Sequence, residues 1–131
     1  MKTNELTGAA LDWAVARAEG AYAPSIHTDA DGTCFVNYGG MFPEWSTNWA
    51  HGGPIVEREL INTYPRFTAG RTEGGSDVYL QDGWAAYVTP RAFWVTPRPF
   101  TGPTPLIAAM RCYVASKLGD TVDVPEQLTK N

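Results

Sequence analysis

The stretch that decides the fold runs from Gly102 to Gly119 and reads GPTPLIAAMRCYVASKLG. Thr104 is a good N-cap, Pro105 suits the first helical position, and Gly119 supplies a stop. The pattern therefore predicts a helix from Thr104 to about Leu118. At about 100° per residue, this helix has a face of large side chains, Leu106, Met110, Tyr113, Val114 and Leu118, and a face of small ones, Ala108, Ala109, Cys112, Ala115 and Ser116. Because neither face is charged, we expect the helix to be covered on both sides, at the centre of the fold or against a second subunit.

A second helix is predicted near the start of the chain. Thr7 is its N-cap, Glu19 its last residue and Gly20 its stop. Its core-facing stripe consists of Leu11, Ala14, Val15 and Ala18. Trp13 points away from this stripe, and we expect a loop or a partner to cover it.

The middle of the chain has the residue pattern of short strands and turns. Residues 33–38 (TCFVNY) predict a strand, and Asp82-Gly83 between residues 77–81 and 84–89 predicts a two-residue hairpin. The prolines that follow, at positions 90, 97, 99, 103 and 105, favour a loop or an edge strand. Residues 55–61 (IVERELI) are compatible with a helix or a strand, since a proline precedes a β-branched run.

These elements predict an α+β fold, with two helices packed on a small, mainly antiparallel sheet or a partly open barrel. The 131 residues, 44% of them hydrophobic, fit one domain that can bury a real core. The polar tail from about Asp120 is expected to be loosely ordered. The covered helix and the five tryptophans also predict a homo-oligomer.

Charge and cysteine content exclude several classes of function. The net charge is -4 and no Lys/Arg cluster occurs, so the chain is not expected to bind a nucleic-acid polymer or a membrane surface. The N-terminus has no long apolar run, which indicates a cytoplasmic protein with reduced thiols. Two cysteines and two histidines make a zinc site improbable, and no motif points to a metal or another cofactor.

The segment Trp45–Gly53 is the first candidate site. Its members are Trp45, Ser46, Thr47, Asn48, Trp49, His51, Gly52 and Gly53. Indoles can stack on a planar ring, the polar side chains can bind its edges, and consecutive glycines let backbone N–H groups approach an anion. The alternative is a structured loop whose two tryptophans fill the core.

Three further residues are candidate ligand contacts. Arg58, in the run Glu57-Arg58-Glu59, could bind an anion or form surface ion pairs. Thr104 lies at a helix N-terminus, which favours an anion, although it could simply cap the helix. Arg111 lies on an otherwise uncharged helix and needs a partner, either a bound anion or a carboxylate such as that of Asp12, Glu57 or Glu59.

Three stretches resemble a known family. They are residues 5–20 (ELTGAALDWAVARAEG), 45–59 (WSTNWAHGGPIVERE) and 102–120 (GPTPLIAAMRCYVASKLGD), and together they are similar to the NinX-like proteins of tailed bacteriophages and prophages. The resemblance covers most of the chain and is lowest after Glu59. It implies a phage-encoded protein that acts in the bacterial cytoplasm, and it carries over no catalytic residue.

Three functions are compatible with these observations. The leading hypothesis is a non-enzymatic binder of a small, anionic, nucleotide-like molecule, which would sequester a host immune signalling nucleotide as an anti-defence sponge. The second is an inhibitor or adaptor that binds a bacterial host protein through an exposed patch including Trp13 or Phe93-Trp94. The third is a nucleotide hydrolase that uses Glu57 or Glu59 with His51.

Overall fold

The structure is a computed structural model that describes residues 1–90 and 97–129. Its helices are α1 (Gly8–Ala18), α2 (Trp49–Arg58), α3 (Pro105–Leu118) and the short α4 (Glu126–Thr129). Its strands are β1 (Ser25–Thr28), β2 (Cys34–Asn37), β3 (Ile61–Arg71), β4 (Asp77–Val88) and β5 (Phe100–Gly102). A 3-10 turn, Thr3–Glu5, precedes α1. The predicted α+β class is confirmed, and the described strands form two open antiparallel sheets with no closed barrel.

Helix α3 is the centre of the fold, as its sequence predicts. The Thr104 hydroxyl accepts a hydrogen bond from the Ile107 N–H at 3.1 Å, which caps the helix. The buried run of α3 comprises Leu106 and residues 108–114. Its neighbours are α1, α2 and the three-stranded sheet of β3, β4 and β5. One chain therefore covers both faces of the helix, and this coverage no longer points to a second subunit.

Helix α1 keeps the predicted boundaries with one correction. Thr7 stands at the N-cap, but its side chain makes no capping hydrogen bond. The indole of Trp13 is buried, and its N–H donates to the Pro24 carbonyl at 3.2 Å. The loop after α1 therefore covers this tryptophan, so Trp13 cannot belong to an exposed docking patch. The other proposed members of that patch, Phe93 and Trp94, lie outside the described residues.

Helix α2 resolves the ambiguity of residues 55–61. The helix begins at Trp49, six residues before Ile55, and continues through Pro54 to Arg58. The Asn48 side chain caps it by accepting from the Ala50 N–H at 2.9 Å. A helix is possible around Pro54 because only one intrahelical hydrogen bond is lost there. The strand alternative is therefore wrong for residues 55–58, and Ile61 at the end of the segment begins β3.

The predicted hairpin at Asp82-Gly83 is wrong. Asp77–Val88 is one continuous strand, and its pairing with β3 passes from Pro65↔Trp84 to Phe67↔Gln81. Asp82 and Gly83 therefore form a β-bulge in mid-strand, where Gly83 has φ +76°. A Cβ on Gly83 would lie 2.9 Å from the Gly102 carbonyl oxygen, so the bulge also allows β5 to approach closely.

The actual turn of this hairpin lies at residues 72–76. The Gly75 N–H donates to the Thr72 carbonyl, and the Thr72 N–H donates to the Ser76 carbonyl, each at 2.9 Å. The outer half of the hairpin, residues 66–81, is largely exposed on both faces, and we call it the hairpin arm. Its large exposed side chains are Phe67, Tyr79 and Leu80.

The tail after α3 is anchored rather than loose. The Thr3 N–H donates to the Asp120 carbonyl at 2.7 Å, and Thr121 pairs with Lys2 as an isolated bridge. Val122 is buried, and its N–H donates to the Met1 carbonyl at 2.9 Å. The expectation of a loosely ordered tail from Asp120 is therefore corrected. Among residues 1–90 and 97–129, no helix has the length and apolar character to cross a membrane.

Candidate ligand-binding site

The segment between β2 and α2 encloses a small cavity with mostly aromatic walls. The cavity measures about 190 Å³ and is lined by Tyr38, Met41, Phe42, Pro43, Trp45 and His51. We call it the aromatic pocket. Two of its six lining residues, Trp45 and His51, belong to the segment that the sequence singles out.

A tight turn after β2 builds one side of the pocket. The Tyr38 N–H donates to the Met41 carbonyl at 2.8 Å, and the Met41 N–H returns a bond to Tyr38 at 3.1 Å. Gly39 and Gly40 both have positive φ, at 62° and 84°. Glycine adopts this conformation at low cost, so the turn can place Tyr38 and Met41 beside each other.

Two aromatic contacts hold the walls in place. The rings of Tyr38 and Trp45 meet edge to face, with centroids 5.4 Å apart and planes at 77°. On the other side, Phe42 contacts His27 and Phe35, with centroids at 5.5 Å and 6.5 Å. Edge-to-face pairs are a favoured aromatic geometry, and these contacts fix the positions of Tyr38, Trp45 and Phe42.

Hydrogen bonds to both neighbours of Trp45 fix the backbone. The Glu44 N–H donates to His51 Nδ1 at 2.9 Å, and the Ser46 N–H donates to Asp12 Oδ1 at 2.8 Å. The first bond ties the loop to α2 and the second ties it to α1. Trp45 is therefore held between two anchored residues, and its side chain is 6% exposed.

Asp12 is the most perturbed acid in this region. Burial raises the pKa of its carboxyl from 3.8 to about 6, and hydrogen bonds from Ser46 offset only part of that rise. Asp12 is 7% exposed. The Ser46 hydroxyl is itself buried, and it lacks a hydrogen-bond partner of good geometry among the described residues. A buried carboxylate that anchors a loop is a candidate functional feature as well as a structural one.

The rest of the predicted segment lies around the pocket without lining it. Ser46 is buried beside Asp12, Thr47 is exposed, and Asn48 caps α2. Trp49 lies on the outside of α2 and is 51% exposed.

The two glycines of the segment lie inside α2 and form no open nest. Gly52 is buried, and a Cβ there would meet the Trp45 carbonyl and lie 2.6 Å from Leu106 Cδ1. Gly52 therefore allows α2 to pack closely on the Trp45 loop and on α3. At Gly53 the nearest atom to a Cβ would be a Trp49 ring carbon, at 3.8 Å.

Arg58 is held in an ion-pair network. Its guanidinium binds both carboxylate oxygens of Glu19, at 3.2 Å and 2.8 Å, and its Nε lies 3.0 Å from Glu59. It also donates to the Tyr113 hydroxyl at 3.2 Å. These acids raise the pKa of Arg58 above its ordinary value. Lys117 lies 3.3 Å from Glu59, so that carboxylate pairs with two cations.

Among the described residues, Arg111 binds two backbone carbonyls, and no carboxylate there pairs with it. Its Nε donates to the Leu6 carbonyl at 2.8 Å and its Nη1 to the Thr101 carbonyl at 2.6 Å. The side chain is buried, and burial lowers its pKa. The expected partner Asp12 bonds to Ser46 instead. Arg111 thus joins the turn before α1 to the end of β5.

Sequence reasoning missed most of the pocket. Tyr38, Met41, Phe42 and Pro43 were not singled out, and Asp12 was considered only as a partner of Arg111. The run Tyr38-Gly39-Gly40-Met41-Phe42, just before Trp45, is the signal that could have found them. In the described part of the chain, no group of three or more His, Cys, Asp or Glu side chains is placed to hold a metal ion.

The comparisons with known proteins return one family. The family described as "Bacteriophage P22, NinX" matches residues 2–117. The match covers all the residues of the aromatic pocket and both of its backbone anchors. No curated protein matches the chain.

Proposed function

The chain belongs to the bacteriophage P22 NinX family, and on that premise we propose that it binds the flat ring of a small nucleotide-like molecule in the aromatic pocket. The observation that carries the proposal is the set of aromatic walls formed by Tyr38, Phe42 and Trp45, since planar rings stack on such side chains. Pockets for drug-sized ligands measure roughly 300–1,000 Å³. A cavity of about 190 Å³ therefore suits a single ring system.

The phosphate of such a ligand would lie outside the pocket. The lining contains no lysine or arginine, and both Arg58 and Arg111 have protein partners. The ring would therefore contribute most of the affinity. The biological role we attach to this binding is sequestration of a host immune signalling nucleotide in the bacterial cytoplasm. We also propose that the chain binds this ligand as a homo-oligomer.

Isothermal titration calorimetry and native mass spectrometry with a panel of mononucleotides and cyclic nucleotides test this function. We expect saturable binding that Tyr38→Ala weakens by at least about fivefold, because stacking on one aromatic is worth about 1–3 kcal/mol. Trp49→Ala is the control, since Trp49 lies outside the pocket lining. Absence of heat and of a mass shift for every nucleotide in the panel would refute the proposal.

A second function is favoured by the hairpin arm. Phe67 and Tyr79, which are 58% and 79% exposed, share one face of the arm, and Leu80, which is 57% exposed, lies on the opposite face. Adjoining exposed apolar side chains can mark a protein-binding site. The alternative is an inhibitor or adaptor that docks on a bacterial host protein through this arm. In that case Phe67→Ser with Tyr79→Ser abolishes stoichiometric co-purification of one host protein, whereas Tyr38→Ala leaves it intact. The reverse pattern would favour the aromatic pocket.

A further inference from the structure

The side chains of the aromatic pocket offer hydrogen-bond donors. The first is His51. Its Nδ1 accepts the Glu44 N–H at 2.9 Å, so the proton of the neutral imidazole resides on Nε2. Within residues 1–90 and 97–129, Nε2 has no hydrogen-bond partner. His51 therefore presents an N–H group that binds no atom of the described residues.

The second donor is the indole of Trp45. An indole nitrogen can only donate, and a buried tryptophan usually finds a partner for it. Trp45 is 6% exposed, yet its Nε1 forms no hydrogen bond with the described residues. The Tyr38 hydroxyl, which can donate or accept, also has no partner there. Three polar groups on the lining side chains therefore have no hydrogen-bond partner among residues 1–90 and 97–129.

The lining has no side chain that can only accept a hydrogen bond. None of the six lining residues carries a carboxylate or an amide side chain. The acids Asp12 and Glu44 lie behind the loop, where they line a different cavity. The hydrogen-bonding character of the aromatic pocket is therefore set by two obligatory donors and one hydroxyl that can adapt.

From these donors we infer that the aromatic pocket prefers rings that carry a carbonyl group at the edge, such as uracil or hypoxanthine. Rings that carry an exocyclic amine there, such as cytosine or adenine, should bind less tightly. The inference rests on the proposed binding of a ring. A carbonyl oxygen accepts from Nε2 of His51 or from the indole of Trp45, whereas an amine would bring its own N–H groups against them. Buried donors left without an acceptor are costly, so the preference should be about tenfold or more.

The test compares two matched pairs of ligands by calorimetry. Uridine 5′-monophosphate has a carbonyl beside a ring N–H where cytidine 5′-monophosphate has an amine beside an unprotonated ring nitrogen. Inosine and adenosine 5′-monophosphates differ in the same way. We expect the carbonyl member of each pair to bind at least about tenfold more tightly. Equal affinities, or tighter binding of the amines, would overturn the inference while leaving ring binding in place. Absence of binding for all four would instead overturn the proposed function, and this inference with it.

A matched pair of variants tests whether the Trp45 indole contributes to the preference for carbonyl rings. Trp45→Phe and Trp49→Phe both replace an indole with a ring that has no N–H, but only Trp45 lines the pocket. We expect Trp45→Phe to lower the carbonyl-to-amine ratio by at least about threefold and Trp49→Phe to leave it unchanged. His51→Phe provides a second removal of a donor if Trp45→Phe fails to fold. If Trp45→Phe and His51→Phe both fold and leave the carbonyl-to-amine affinity ratio unchanged, these two donors do not set the preference and the inference is wrong.

Discussion

At the scale of single residues, Asp12 shows a conflict between burial and ionisation. Its carboxyl accepts the Ser46 N–H at 2.8 Å, a role that a neutral amide oxygen could also fill. Burial raises its pKa to about 6, so at neutral pH the folded protein carries an ionised group that its environment disfavours. Arg111 is a similar case, because it is buried and its partners among the described residues are carbonyl oxygens. Single residues of this kind are retained at some cost in stability.

The first prediction concerns the replacement Asp12→Asn. The carboxyl is neutral in both states below its unfolded pKa of 3.8, and above this pH the unfolded chain ionises first. Stability is therefore lost as pH rises from about 4 to 6, by up to about 3 kcal/mol for a shift of roughly two units. Asp12→Asn should raise the free energy of unfolding at pH 7 by up to this amount and leave it unchanged near pH 3. Urea denaturation at pH 3 and at pH 7 measures the free energy of unfolding of the two proteins under both conditions.

The control for this prediction is Asp31→Asn. Asp31 is exposed, and the Thr33 N–H that it accepts lowers the pKa of its carboxyl. Its ionised form therefore stabilises the fold above the unfolded pKa, so Asp31→Asn should lower stability at pH 7. A loss of stability at pH 7 in both variants would contradict the account of Asp12.

At the scale of elements, α2 contains two neighbouring glycines, of which only one is required by close packing. Gly52 faces the Trp45 carbonyl and Leu106, and it sets the distance of α2 from α3. Gly53 faces no atom closer than 3.8 Å. The position of His51 in the aromatic pocket depends on this close packing, because His51 immediately precedes Gly52 in the same helix.

The second prediction compares Gly52→Ala with Gly53→Ala. The first adds a methyl group where no space exists, and overpacking of this kind typically costs about 1–3 kcal/mol. The second adds it in ordinary contact distance, where alanine favours a helix by up to about 1 kcal/mol. Thermal unfolding should therefore show a lower Tm for Gly52→Ala and an equal or higher Tm for Gly53→Ala. An equal or higher Tm for both variants would mean that helix propensity, and not the contact with Trp45 and Leu106, governs both positions.

At the scale of the whole molecule, contacts between distant parts of the chain enclose α3. The N-terminus and the tail pair with each other through Lys2, Thr3, Thr121 and Val122. On another side, the bidentate pair of Arg58 with Glu19 meets the Tyr113 hydroxyl, which joins α2, the end of α1 and α3. The hairpin arm lies outside this framework, and its outer strands pair mainly with each other.

The third prediction concerns truncation of the tail. A chain that ends at Gly119 loses the backbone hydrogen bonds to Met1 and Thr3 and the burial of Val122. We expect a loss of about 3–5 kcal/mol, from hydrogen bonds of about 1 kcal/mol each and one buried valine. A chain that ends at Pro125 keeps these contacts and lacks only α4, which has no buried residue. The free energy of unfolding of this longer chain should fall by only about 1 kcal/mol. Equal stability of the two truncated chains in urea would contradict an anchored tail.

The amino-acid sequence was enough to predict α1 and α3 and the central place of α3, and it singled out Trp45 and His51, which line the aromatic pocket. These features depend on caps and periodicity within a few residues, and such signals survive without tertiary context. Only the tertiary structure decided that residues 55–58 are helical, that Asp82-Gly83 is a bulge, and that Arg58 and Arg111 bind protein groups. The physical reason is that strand register, charge partners and pocket walls depend on contacts between residues far apart in the chain. The aromatic pocket combines both kinds of information, because its tryptophan and histidine were visible in the sequence and its other walls came from the fold.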